Sequence, residues 1–500
     1  MNTDLNPNPL VRFLGKPQRE FTKADLVRYV RENGIEMINF RYPGADGRLK
    51  TLNFVIQDEE YLDSILSCGE RVDGSSLFPY IEAGASDLYV VPRYRTAFRN
   101  PFSEIPALDI LCSYYTKEGT PLEMAPEQTL RKACRVLRER TGFDLHVMGE
   151  LEYYVVSPRR DLFPAADQRG YHESTPFNKG AAFRELAMKY IAAAGGRIKY
   201  GHSEVGNFTA ADRLYEQNEI EFLPTDPEEA ADQLVVAKWI LRTLGERLGV
   251  DVTFAPKITA GKAGSGLHVH TRLMRDGRSA TVDAGGALSE DALRAIAGYL
   301  ALAPSLTAFG NTNPASYLRL VPHQEAPTSI CWGDRNRSVL VRVPLGWSAG
   351  AGEMIRDANP LERAAAPDVA LKQTVEFRCP DGSADVYLLL AGLVVAARHG
   401  LEMADGAEYA RARYVGVNIF DERHREVLER LDSLPASCAE SAARLLSQRD
   451  AYERYGVFAP RLVDGVAARL EAFGDGDLRS RLGDDAERIM ALVDEHFYCG

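Results

Sequence analysis

Residues 143–156 read FDLHVMGELEYYVV, and this run decides the fold. It has the character of a β-strand, in which side chains alternate between two faces. His146, Met148, Glu150, Glu152 and Tyr154 then share one face, and Leu145, Val147, Leu151, Tyr153 and Val155 share the other. An unpaired carboxylate directed at a core is costly, and two on one face repel unless a cation or proton lies between them. Something in the fold is therefore expected to compensate Glu150 and Glu152.

The pattern recurs further along the chain. In 373–379, Thr374, Glu376 and Arg378 share a face opposite Val375, Phe377 and Cys379, and in 338–344 Arg342 opposes Val339, Val341 and Val343. The run GSGLHVH, 264–270, places His268 and His270 on one face after a glycine turn. Glu204 and Glu219 flank a segment, ending in Gln217-Asn218, that reads as a turn. Each piece alone also fits the wet face of an antiparallel sheet. Together, five glutamates and a histidine amid apolar strands form the oxygen-rich donor set that Mg²⁺ or Mn²⁺ prefers over zinc or an iron–sulfur centre. Arg319, Arg335, Arg337, Arg342 and Arg378 suit phosphate or carboxylate through forked hydrogen bonds. Metal ions beside arginines are what phosphoryl transfer requires, because its catalysis is mostly positioning and charge neutralisation.

Composition narrows the field further. The chain has 500 residues, 45% hydrophobic and 26% charged, with a formal net charge of −12. That balance supports a large core and argues against nucleic acid or an anionic membrane as partner. Seven scattered cysteines without a C-x-x-C point to a reduced compartment, and the first twenty residues lack an apolar signal region, so a cytoplasmic location is expected. The apolar run Tyr387–Ala397 is about half of the ~20 residues a bilayer crossing needs and reads as a buried helix. The run 261–266, GKAGSG, has its lysine and hydroxyl in the wrong order for a phosphate loop. Neither a dinucleotide fingerprint nor a G-x-S-x-G elbow is present.

Two domains are expected. Residues 1–116 combine a helix over Thr22–Asn33 with short strands at Glu36–Phe40 and Leu88–Val91, a small α+β unit. The turn-rich TKEGTPLEMAP, 116–126, separates it from residues 117–500, beginning with an amphipathic helix that carries Leu130, Ala133, Cys134 and Leu137 and ends at Gly142. Helices are also expected over Ala181–Ala194 and Asp226–Leu248. The second would have Asp226 and Glu229 as reciprocal caps and Leu234, Ala237, Leu241, Leu244 and Leu248 as its buried stripe. From Asp421 onward the chain reads as a solvated amphipathic helical layer.

These residues resemble the glutamine synthetase family. The resemblance runs from about residue 36 to the C-terminus, in order, through DGSS (73–76), GELEY (149–153), HSEV (202–205) with QNE (217–219), GSGLHVH (264–270), SYLRLVP (316–322) leading to EAP (325–327), RNRS (335–338) and VEFR (375–378). It implies an α+β protein with an N-terminal β-grasp-like domain and a larger catalytic domain whose antiparallel sheet is flanked by helices. Active sites would lie between subunits of a homo-oligomer of stacked rings. Two divalent ions, Mg²⁺ or Mn²⁺, are implied, one on Glu152, Glu204 and Glu219 and the other on Glu150, His268 and Glu376. ATP would meet His270, Arg337, Arg342 and Tyr80. Glutamate would meet Arg319, Arg378 and the loop at Gly264.

The reaction implied is phosphorylation of the glutamate side chain followed by attack of ammonia. Asp73 would be the base, Ser76, Tyr171 and Glu204 would complete the ammonium pocket, and Glu325 would shield the acyl phosphate. The chain departs from the family pattern in several places. The interval from Glu204 to Glu219 is about twice the usual length, so Asn207–Tyr215 is an insertion beside the proposed ammonium pocket. Ala263 replaces a usual asparagine, Lys262 a usual acid, and His323-Gln324 a usual Gly-Tyr. Thr374 stands where an arginine near the phosphates is common, and Arg272 where a serine is common. Phe420 stands where some bacterial members carry an adenylylated tyrosine. Another small amine, a polyamine or alkylamine, is therefore an alternative to ammonia, and a non-catalytic scaffold is a third reading.

Overall fold

The computed structural model describes residues 3–81, 84, 86–321, 326–346, 351–363, 372–483 and 485–500. The first sheet is built from β1 (Met37–Pro43), β2 (Leu49–Val55), β3 (Glu70–Asp73), β4 (Asp87–Pro92), β5 (Phe98–Arg99) and β6 (Ala107–Thr116), in the order β2-β1-β6-β4-β3 with β5 also on β6. β1 and β6 run parallel and the other pairs antiparallel. The helix Lys23–Glu32 starts where Thr22 caps it, with Asp25 closing the box reciprocally. Leu26, Tyr29, Ile38, Phe40, Leu66 and Ile110 belong to the core of this sheet.

A buried ion pair joins its central strands. Arg41 Nε donates to Asp109 Oδ2 at 2.8 Å, and Asp109 also accepts from Asn39 and Asn100. The Arg41 guanidinium lies 4.4 Å from the Trp239 ring, on a helix of the second domain. Arg93 and Asp232 make a second buried pair across the same seam, with the Tyr387 hydroxyl donating to Asp232.

The second sheet is assembled from β7 (Asp144–Pro158), β8 (Ile198–Ala210), β9 (Arg213–Phe222), β10 (Asp251–Thr253), β11 (Leu267–Arg275), β12 (Arg278–Ser279), β13 (Trp332–Asp334), β14 (Val341–Val343) and β15 (Val375–Phe377). Its order is β13-β14-β15-β11-β7-β9-β8, with β10 on β7 and β12 on β11. Every pair is antiparallel except the short β13–β14. The helices Pro126–Thr141, Pro227–Leu248, Glu290–Gly310 and Val386–Glu402 share one apolar core with the inward face of this sheet. Gly149 marks that face: a Cβ there would lie 3.0 Å from Leu234 of the second helix. Glu150 and Glu152 consequently face the other way. Glu290–Gly310 is apolar enough to cross a bilayer, but 83% of its apolar window is buried inside the domain, where it is a core helix.

Four expectations need correction. Between Glu204 and Glu219 the chain forms no simple turn: β8 and β9 make a long hairpin that turns at Ala211-Asp212. Glu229 does not cap reciprocally, because its carboxylate accepts from Thr225 Oγ1 and Gln233 Nε2 while its amide donates to Asp226. Leu248 ends its helix at 52% exposure, outside the buried stripe. The region after Asp421 is not merely a solvated layer. Leu445, Leu462, Val463 and Leu470 are fully buried, and Ser441 and Tyr452 hydrogen-bond to Thr307 and Ser305 of the core helix.

Removing one partner of a buried ion pair leaves the other charge stranded, at a cost of about 3–5 kcal/mol. Asp109→Ala is therefore expected to lower unfolding free energy by about that amount, read by urea denaturation. A loss of a few tenths of a kcal/mol would show that Arg41 finds solvent instead.

Candidate active site

Strand register builds the site from side chains that the alternating pattern sends away from the core. His268 lies opposite Glu150, and His270 opposite both Met148 and Glu376. Glu152 and His202 both pair with Glu219, and Arg342 pairs with Glu376. These residues line a cleft of about 790 Å³ with Tyr171, Glu204, Gly264, Arg319, Arg337 and Arg378.

The floor of the cleft is acidic. The ligand atoms of Glu150, His270 and Glu376 lie within 4.8 Å of one another, as do those of His202, Glu204 and Glu219. Burial and the facing carboxylates of Glu150, Glu152 and Glu204 push Glu219 well above the usual carboxylate range. Burial also disfavours charge on Glu150, but His270, and then hydrogen bonds from His268 and His270 at 2.9 and 2.8 Å, hold it well below that range. Glu376 behaves alike: burial opposes its charge, and Arg378 leads the groups that outweigh it. Its two oxygens accept from Arg378 Nε at 2.9 Å and Arg342 Nη1 at 3.0 Å. A crowd of carboxylates that drives one member towards protonation fits divalent cations.

The grouping by distance differs from the expected ligand sets in two places. His270 joins Glu150 and Glu376, although His268 Nδ1 is also 3.5 Å from Glu376. His202 joins Glu204 and Glu219, while Glu152 Oε2 accepts from the Gly266 amide at 2.6 Å and Gln217 Nε2 at 3.1 Å. The glycine turn explains that contact. A Cβ at Gly264 would sit 2.2 Å from the Pro256 carbonyl, and one at Gly266 2.5 Å from Arg319 Nη2. Arg319 is buried and donates Nη1 to the carbonyls of Cys379 and Pro380.

Other expected residues lie elsewhere. Asp73 and Ser76 are exposed on the first domain, away from this chain's cleft, and Ser76 Oγ donates to Asp73 at 2.6 Å. Hydrogen bonds from Ser76 and then Ser75 hold the Asp73 carboxyl below its ordinary value. Tyr80 packs in the seam between the domains, stacked on Phe78 and against Gly465. Arg335 lines a neighbouring groove, not the cleft. Glu325 and His323-Gln324 lie outside the described residues.

The cleft also contains residues that the sequence reading passed over as site residues. His202 sits among the rings of Tyr171, His172 and Tyr200, with centroids 5.5, 4.3 and 5.8 Å away. Its place in the HSEV run, two residues before Glu204 in a strand, was the available signal. Arg197, Lys199, Arg272 and Lys372 also line the cleft, and Lys199 Nζ donates to Glu221 at 2.7 Å. The Asn207–Tyr215 insertion is hairpin and lines no part of the cleft. It acts on the segment before Tyr171: Arg169 N donates to Asn207 Oδ1, Gln168 N to the Asn207 carbonyl and Gly170 N to the Val205 carbonyl. A two-residue bulge between Ser203 and Asn207 turns the strand there, and Gly206 has no room for a Cβ against the Tyr154 hydroxyl.

Comparisons with known proteins bear on the family and the fold. The β-Grasp domain of glutamine synthetase matches residues 34–117, and the catalytic domain of glutamine synthetase matches residues 123–468. Glutamine synthetase of Clostridium saccharobutylicum is 30% identical over 84% of this chain and 88% of its own. That of Thermococcus kodakarensis is 30% identical over 85% and 86%. Among solved structures, Plasmodium falciparum glutamine synthetase superposes with a TM-score of 0.73 at 17% identity, covering 92% of this chain and 97% of its own. A GmaS/ADP complex superposes with a TM-score of 0.71 at 19% identity, covering 93% and 99%.

A carboxyl held above its usual range must lose its proton to bind a cation, so lowering the pH weakens divalent binding. Titration with Mn²⁺ in two buffers of different ionisation enthalpy is expected to show proton release, and affinity is expected to fall from pH 7.5 to 5.5. Glu219→Gln is expected to remove most of that proton release. Equal release from the variant would place the proton elsewhere.

Proposed function

The chain belongs to the glutamine synthetase family of ATP-dependent ligases, and from that premise we propose that it makes glutamine from glutamate, ATP and ammonia. The observation that carries the proposal is one cleft holding a carboxylate and imidazole floor next to Arg319, Arg342 and Arg378. In the first step the glutamate side-chain carboxylate attacks the γ-phosphorus of ATP. A C–O–P bond forms, the bond to ADP breaks, and γ-glutamyl phosphate results. In the second step a neutral amine attacks the acyl carbon, phosphate leaves with the C–O electron pair, and the amine nitrogen loses its extra proton to a base.

The chain's own residues divide this work. Glu150, Glu376 and the adjacent imidazoles His268 and His270 would hold one Mg²⁺ or Mn²⁺, and Glu219 and Glu204, with His202 and Glu152 beside them, another. Such ions neutralise phosphate charge and polarise the transferred group. Arg319 and the Gly264 turn, with Arg378, orient the substrate amino acid. Arg342 and Arg337 face the phosphates, with His270 beside them. Tyr171 and Glu204 lie at the mouth, where ammonium would lose a proton to Asp73 of a neighbouring subunit, with Ser76 beside it. That role suits the exposed position of Asp73 and a carboxyl that stays ionised. A ring of subunits, a shielding Glu325, a Tyr80 contact to the nucleotide and a cytoplasmic location belong to the same proposal.

A second reading replaces ammonia with a polyamine or alkylamine. The hairpin extension favours it, because it secures the segment carrying Tyr171 at the amine side of the cleft. The non-catalytic reading is set aside, because the six expected metal ligands and Arg319, Arg337, Arg342 and Arg378 all line the cleft.

Phosphate release measured with glutamate, ATP, Mg²⁺ and ammonium is expected to require all four. A larger response to an alkylamine than to ammonium would select the second reading, and no response to any amine would overturn both. Arg319→Lys exchanges a planar fork for a point charge and is expected to raise KM for glutamate about ten-fold or more.

A further inference from the structure

We propose that Gln168 is a positioning residue of the cleft, a staple that fixes the strip carrying Tyr171 to the glycine turn at Gly264. The inference deepens the ligase reading given above and rests on it for what binds at each place, the amine beside Tyr171 and the amino acid at the turn. Gln168 itself lines no part of the cleft and acts through its neighbours. The strip lies along the edge of β8. Amides of Gln168, Gly170 and His172 donate to the carbonyls of Asn207, Val205 and Ser203 at 2.9, 3.2 and 2.9 Å, one bond at every second residue as in an antiparallel pair. Buried Ser203 adds its hydroxyl to the carbonyls of Gly170 and Glu173. At Gly170 the fit is close, since a Cβ there would lie 2.5 Å from the Glu204 carbonyl. The route costs strain: Gln168 and His172 take left-handed backbone, φ 54° and 57°, which residues other than glycine avoid. Such backbone persists where the surrounding contacts over-determine it, and it clusters at binding sites.

The Gln168 side chain joins this strip to the turn. Its Nε2 donates to the Asn207 carbonyl at 3.1 Å, and its Oε1 accepts from the Ala263 amide at 2.8 Å. One side-chain amide thus ties β8 to the residue before Gly264. From the other side of the turn, the Tyr154 hydroxyl donates to the Ala263 carbonyl at 2.9 Å, Gln217 Nε2 to the Gly264 carbonyl at 3.0 Å, and the Gly266 amide to Glu152. Gln217 Oε1 also accepts from the Gly206 amide at 3.0 Å, inside the β8 bulge. The turn is held in this way from β7 and β9, and Gln168 closes the circuit to the strip. A further link, Lys262 Nζ to Asp167 Oδ2 at 2.5 Å, is a surface pair with the Asp167 side chain 60% exposed, of the kind that contributes little. Gln168 is half-buried, where a lost hydrogen bond is less readily replaced by water. The staple therefore sets the separation of Tyr171 from Gly264, and with it the approach of the amine to the acyl carbon.

The test compares the whole protein with Gln168→Met, which keeps the bulk and removes the hydrogen bonds, and with Gln168→Glu, which keeps an acceptor for the Ala263 amide. Hydrogen exchange read by mass spectrometry on peptides spanning 166–173 and 260–266 reports the staple without substrate. In Gln168→Met both peptides are expected to exchange faster, and KM for glutamate to rise about ten-fold with KM for ATP unchanged. Gln168→Glu is expected to bring the 260–266 exchange and the glutamate KM back towards wild type, which a general loss of structure would not allow. Unchanged exchange at 260–266 in Gln168→Met, an equal rise in KM for ATP, or no recovery in Gln168→Glu would each overturn the assignment. Wild-type protein that releases no phosphate with glutamate and any amine, while Gln168→Met loosens both peptides, would sink the ligase reading and leave the staple standing.

Discussion

Mutual repulsion among Glu150, Glu152, Glu204 and Glu219 is the constraint on which the rest of the structure depends. These side chains sit on neighbouring strands of one sheet face, and burial makes each negative charge expensive. The protein answers in part with its own hydrogen-bond donors: imidazoles on Glu150, guanidiniums on Glu376, and an amide and a side-chain amide on Glu152. Glu219 receives less and is pushed towards its protonated form. A site in that condition is poised for divalent cations, and its distances and burial come from strand register rather than from mobile loops.

Holding such a face open requires a rigid back. The long apolar helices supply it, packed against the inward residues of the same strands, with the Gly149–Leu234 approach setting how closely the helix Pro227–Leu248 lies on β7. The first domain is tied to that helix through the Arg41–Trp239 stack and the Arg93–Asp232 pair. Asp73 and Ser76 are held on this domain in a hydrogen-bonded turn, exposed and outside their own chain's cleft. The proposed completion of the site by a neighbouring subunit would use both facts.

Much of this was legible in sequence because strands carry a strict period. Glu150, Glu152, His268, His270, Glu376 and Arg342 could be assigned to one face from alternation alone, and the structure brings all of them to one cleft. Legibility failed where long-range pairing decides. The Glu204–Glu219 segment carries the turn formers Gly206-Asn207 in what is a bulged strand, and its hairpin is stabilised by pairing to β7, so it read as a turn. His202 and Arg272 were visible as residues but not as site residues, since their neighbours Glu219 and His146 are distant in sequence. The charged composition after Asp421 concealed helices whose apolar stripes complete the main core.

The central claim is that one cleft activates a carboxylate by phosphorylating it and then passes the acyl group to an amine. Isotope transfer tests it most directly. Glutamate labelled with ¹⁸O in its side-chain carboxylate, incubated with ATP, Mg²⁺, ammonium and the protein, is predicted to deliver one ¹⁸O atom to each phosphate released. Phosphate carrying no label, released at the same rate, would contradict the account, because the phosphoryl group would then have gone to water and not to the carboxylate.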